Sequence, residues 1–148
     1  MNGTGTVTLN GTQYGNNVTL NGASGNQTLT ASDNAIFTLS GSNAGAAVLS
    51  STTSTYTGFE TLAGNGASDV LTTAAGGSAI YTLSATKAGA VSGGTYSSSF
   101  SGIESITGAT GNDQLAASAA VTVAVSSVAG GQITSTLLMP CLPRCLLR

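Results

Sequence analysis

Two stretches of this chain are each spelled twice at one spacing. Ala35-Ile36-Phe37-Thr38-Leu39-Ser40 returns as Ala79-Ile80-Tyr81-Thr82-Leu83-Ser84, and Tyr56-Thr57-Gly58-Phe59-Glu60-Thr61-Leu62-Ala63-Gly64 returns as Phe100-Ser101-Gly102-Ile103-Glu104-Ser105-Ile106-Thr107-Gly108. Both pairs share a shift of about 44 residues. A turn region occurs three times: Leu20 to Leu29, Leu62 to Leu71 and Ile106 to Leu115. A chain written this way is expected to be an array that starts and stops inside a longer series of repeats.

Within each repeat, apolar pairs fall roughly every ten residues, the strand-and-turn spacing of all-β folds. Val7/Leu9, Val18/Leu20, Phe37/Leu39, Ile80/Tyr81/Leu83 and Val121/Val123/Val125 alternate with Thr or Ala, which turns one face inward. The strands are short and the aromatics few, so a single repeat cannot bury enough apolar surface to offset its ordering entropy. Stacked neighbours can, through a continuous ladder of Leu, Ile and Val. The expected fold is therefore all-β, a parallel β-solenoid of the β-helix or β-roll kind built from repeats of about 44 residues, with a β-sandwich of meandering strands as the alternative. Leu29, Leu71 and Leu115 follow their turns at one spacing and are expected at equivalent inward positions.

Charge narrows the function. Charged residues are 5% of the chain, histidine and tryptophan are absent, and Lys87 is the only base before the last few residues. A protein that grips phosphates needs many cations, so nucleic acid is not an expected partner. No run is long and apolar enough for a membrane span. With no histidine there is no Ser-His-Asp or Cys-His arrangement, and the chain is not expected to be an enzyme. Glu60 and Glu104 occupy equivalent places in two repeats, with nothing to set them across a cleft as a catalytic pair, and read as solvated strand residues.

Gly108-Ala109-Thr110-Gly111-Asn112-Asp113-Gln114-Leu115-Ala116 resembles the nonapeptide G-G-x-G-x-D-x-U-x of RTX, or haemolysin-type, calcium-binding repeats, departing at Ala109. The copy from Gly64 to Thr72 keeps the first glycine, Asp69 and Leu71; the copy from Gly22 to Thr30 has Gln27 in place of the acid. The lead-in words around Phe59-Glu60 and Ile103-Glu104 look like those beside such turns in large bacterial surface, S-layer-like and secreted repeat proteins. The resemblance implies a calcium site near Asp113 first, with Gly111 free to bend and Asn112 adding an oxygen, and near Asp69 second. One carboxylate per turn implies weak affinity, on the order of millimolar. The competing reading makes both aspartates turn residues whose carboxylates accept backbone hydrogen bonds.

These readings converge on a structural or adhesive module of a large extracellular or cell-surface bacterial repeat protein, its partners being neighbouring repeats, copies of itself or surface glycans. An RTX-like module that folds on extracellular calcium is the alternative. The N-terminus has neither the basic nor the apolar region of a secretory signal, so an export signal is expected either outside this stretch or of another type. Residues 1-134 are expected to form the array. Residues 135-148, which hold both cysteines and both prolines, match no repeat and are expected to form an unstructured tail, dispensable from about Leu137 onward.

Overall fold

A computed structural model describes residues 3–10, 18–118 and 121; the expected tail and the strand around Val123 and Val125 lie outside the described residues. The described residues form thirteen strands and no helix. They are β1 (Gly5–Leu9), β2 (Val18–Asn21), β3 (Gln27–Ala31), β4 (Ala35–Gly41), β5 (Ala44–Leu49), β6 (Thr52–Thr57), β7 (Thr61–Ala63), β8 (Val70–Thr73), β9 (Ile80–Ala85), β10 (Ala88–Gly93), β11 (Tyr96–Ser101), β12 (Ser105–Thr107) and β13 (Gln114–Ala117).

The strands make two mixed sheets, a seven-stranded one ordered β1-β3-β7-β11-β10-β9-β13 and a six-stranded one ordered β12-β8-β4-β5-β6-β2. Two kinds of pairing build them. Inside each repeat, β4-β5-β6 and β9-β10-β11 are antiparallel meanders. Between repeats, every pairing is parallel: β1 with β3, β3 with β7, β7 with β11, β2 with β6, β4 with β8, β8 with β12, and β9 with β13. The all-β expectation holds. Of its two forms, wholly parallel stacking describes only the joints, and meandering strands describe only the repeat interiors.

The repeat has a consequence for topology. β4-β5-β6 lie in the six-stranded sheet and their counterparts β9-β10-β11 in the seven-stranded one; β7 and β12, and again β8 and β13, are divided in the same way. A step of about 44 residues therefore moves each element to the opposite sheet. β1 takes the place of a meander's first strand. The Ser32 amide bonds to the Leu9 carbonyl at 2.9 Å, as Ala74 does to Leu39 at 2.7 Å and Ser118 to Leu83 at 2.8 Å.

The inward residues of both sheets join one apolar core, including Phe37, Leu39 and Leu49 from one and Leu29, Leu62, Tyr81 and Phe100 from the other. Tyr56 and Phe59 meet edge to face with ring centroids 6.3 Å apart. Burial pushes the Tyr56 hydroxyl well above its ordinary pKa, since the phenolate would lose its water there. The register expected for the three leucines is found. Leu29 and Leu71 are 0% exposed, and Leu115 points the same way but is only partly covered, being on the edge strand β13.

That difference has a measurable result. Leu71→Ala should cost about 3 kcal/mol, in the range of buried Leu truncations that leave a cavity, and Leu115→Ala about 1 kcal/mol, because water already reaches it. Urea unfolding of the two variants checks the order; equal costs would contradict the inward register.

Candidate functional site

The side chains that carry chemistry are gathered at the joints between repeats. Asp69 immediately precedes β8 and is 0% exposed. Its Oδ1 accepts the Ala35 amide at 2.7 Å and its Oδ2 accepts the Gly66 amide at 2.9 Å. The Ala35 amide belongs to the start of β4, the parallel neighbour of β8, so one carboxylate ties its own turn to the preceding repeat. Asp113 repeats the contact at the start of β13: its Oδ1 accepts the Ala79 amide at 2.8 Å, at the entrance to β9. Its Oδ2 is buried without a partner among the described residues.

A second carboxylate closes the joint from the other side. Glu104 Oε2 accepts the Asp69 amide at 2.6 Å, and Glu104 Oε1 lies 2.9 Å from Lys87 Nζ. In the repeat before, Glu60 Oε2 accepts the Gln27 amide at 2.6 Å, and Glu60 Oε1 accepts Asn43 Nδ2 at 3.4 Å. Asn43 and Lys87 are counterparts. Both sit at positive φ, 54° and 61°, in the turn that opens a meander's second strand. Both also offer a carbonyl to the residue before the glutamate, Asn43 to the Phe59 amide at 3.2 Å and Lys87 to the Ile103 amide at 3.0 Å.

The glutamates are thus not solvated strand residues. Each serves its own joint, accepting an amide from a strand more than 30 positions earlier. The only hint in the sequence is that Gly-x-Glu recurs at the repeat spacing before a Leu or Ile.

The four residues expected around calcium divide. Asp69 has both oxygens bonded to amides, and Asp113 has one. Gly111 sits at φ 143°, where a Cβ would lie 2.2 Å from the Gly77 carbonyl oxygen, so it is needed for close approach of two turns. Asn112 is exposed and donates its amide to Ser78 Oγ at 3.3 Å. The turns of Asp69 and Asp113 open strands of different sheets. Among the described residues no three of His, Cys, Asp and Glu come together as a metal-binding group. Calcium takes six to eight oxygens, and among the described residues Asp113 Oδ2 is the one buried carboxylate oxygen without a partner.

Glu104 gives this joint a pH dependence. The Lys87 ammonium and the Asp69 amide hold its carboxyl below the ordinary value of 4.5. A carboxylate favoured in the folded state adds stability above its unfolded pKa and loses it as pH falls through the folded one. Glu104→Gln should therefore lower the melting temperature at pH 7, with the gap to the parent closing as pH falls below 4.5. A gap that stays constant from pH 7 to pH 3 would remove the ionic part of the contact.

The outer faces carry hydroxyls in rows. Across the six-stranded sheet, Thr19, Thr55, Ala46, Thr38, Thr72 and Thr107 stand side by side in register. Across the seven-stranded sheet the corresponding row is Thr6, Thr28, Thr61, Ser99, Ala90, Thr82 and Ala116. Neither row contains a charge. The Thr19 and Thr55 hydroxyls are 3.2 Å apart. Among the described residues no helix is long and apolar enough to cross a membrane. No family model, no curated protein and no solved structure matches this chain.

Proposed function

We propose that this chain is a structural or adhesive module, a run of repeats that extends a β-solenoid outside the cell and presents uncharged hydroxyl-bearing faces. The observation that carries the reading is the joint. Gln27 with Glu60, and Asp69 with Glu104, are the same contact made twice, so the chain's polar side chains serve to join one repeat to the next. The alternation of each element between two sheets supports a winding path in which each repeat advances half a circuit. The Thr rows suit neighbouring modules or surface glycans, which are recognised through hydroxyls. Chemistry on a bound substrate is not part of this reading.

A second reading, an RTX-like module with weak calcium binding at Asp113, draws on the partnerless Oδ2. Circular dichroism with calcium and then with a chelator separates the two. The structural reading predicts the same β signal in both, because amides already supply the partners of Asp69 and of Asp113 Oδ1. A β signal that appears only with calcium would favour the calcium module, in which metal binding supplies folding energy.

A further inference from the structure

The edge of β13 is the other half of a joint that the molecule makes twice. At β3 with β7, Thr28, Leu29 and Thr30 stand opposite Thr61, Leu62 and Ala63; at β8 with β12, Val70, Leu71 and Thr72 stand opposite Ser105, Ile106 and Thr107. In both, the first of the paired strands is preceded or begun by a residue, Gln27 or Asp69, whose amide is capped by a glutamate just ahead of the second. β13 is the counterpart of β3 and β8, and among the described residues it pairs only with β9.

We infer that the edge of β13 away from β9, unpaired among the described residues, receives a parallel strand from a further repeat, of the form apolar-Glu-x-Leu/Ile, whose glutamate accepts the Asp113 amide. Three observations lead there. Leu115 is only partly covered, whereas its counterparts Leu29 and Leu71, each lying between two strands, are 0% exposed. Among the described residues nothing stands at the Asp113 amide where Glu60 and Glu104 stand at Gln27 and Asp69. The edge, Gln114-Leu115-Ala116-Ala117, has no charge, proline or bulge of the kind that blunts an edge against pairing. Addition of a strand to such an edge takes its affinity from main-chain hydrogen bonds and its specificity from alternate side chains. Here Leu115 would face the incoming Leu or Ile, and Gln114 and Ala116 the residues on either side of it.

This deepens the reading of the chain as a stacking module by naming what stacks on it. The probe is the synthetic peptide Ser-Gly-Ile-Glu-Ser-Ile-Thr-Gly, the sequence of residues 101–108, added at millimolar concentration to the full chain. Amide hydrogen exchange is read residue by residue. The expected result is at least a tenfold slowing at the outward amides of Asp113 to Ala117, and loss of most of that slowing with the Glu→Gln peptide. Three results would overturn the inference: no slowing at β13, equal slowing by a scrambled peptide, or amides at β13 already as protected without peptide as those of β8. Equal slowing by the Glu→Gln peptide would overturn the role given to the glutamate. Should β13 fail while an added internal repeat still stabilises the chain, this edge is rejected and the module reading stands; should the added repeat fail, the module reading falls by itself.

Discussion

Asp69→Ala is expected to destabilise the protein by about 3 kcal/mol, the cost of leaving buried donors without their acceptor at about 1–3 kcal/mol each. The side chain is wholly buried, and its two oxygens hold the amides of Ala35 and Gly66. The Ala35 amide lies at the entrance to β4 in the preceding repeat. The effect should therefore spread across the joint, exposing the Ala35 amide to exchange together with those of β8. Asp113→Ala, which removes one amide contact and a partnerless oxygen, should cost about half as much by the same bookkeeping. Denaturant unfolding of both variants checks the ratio. Equal and small effects would mean that the aspartates do not tie the repeats together.

Gly64→Ala should be at least as damaging, for a steric reason. An added Cβ would lie 2.4 Å from Asp69 Oδ2 and 2.4 Å from the Gly102 carbonyl oxygen, distances that no side-chain rotation relieves because one neighbour is backbone. Either the Asp69 carboxylate leaves its amides or the turns of two repeats separate. The cost should be about 3 kcal/mol or more, at the upper end of overpacking changes. Gly41→Ala serves as the control, since nothing lies within 4 Å of its Cβ and its φ is not in the left-handed region. Its effect should stay within about 1 kcal/mol. Thermal melts of the pair decide the point, and similar losses in both would indicate that glycine matters here only for chain flexibility.

The parts of this fold legible in the sequence are those fixed by nearest neighbours. Alternation placed Leu9, Phe37, Leu39 and Tyr81 inward, and all four are buried. The shared spacing after each turn placed Leu29, Leu71 and Leu115 at one position. The meanders were harder to see. Their tight turns use Asn43, Ser50 and Lys87 at positive φ, and of these Ser50 and Lys87 do not announce a left-handed turn as Asn43 or Gly94, the counterpart of Ser50, does. Without those turns, antiparallel pairing inside the repeats could not be told from parallel stacking.

The assignment of elements to sheets was not legible at all. Ala35 to Ser40 and Ala79 to Ser84 are nearly the same words, yet they lie in opposite sheets, because the path of the whole chain decides the sheet and not the local pattern. The role of the glutamates is hidden in the sequence for a related reason. The Asp69 amide that Glu104 accepts, and the Gln27 amide that Glu60 accepts, have no side-chain identity, so nothing in the residue types marks either partner. Aspartate before a strand, by contrast, is a residue type that serves turns as an acceptor, and Asp69 and Asp113 do accept backbone amides.

If stability arises from joining equivalent repeats, lengthening the chain by one repeat should raise it. A second copy of residues 61–104 inserted after Glu104 adds one meander and one Asp-Glu joint, and returns the chain to Ser105 as the counterpart of Thr61. In a stacked array, stability is the sum of repeat terms and interface terms, and the added interface is the larger gain. The lengthened chain should show a single cooperative urea transition with a higher midpoint and a steeper slope than the parent, since more surface is buried in one folding unit. A transition that splits in two, or a midpoint at or below that of the parent, would contradict it.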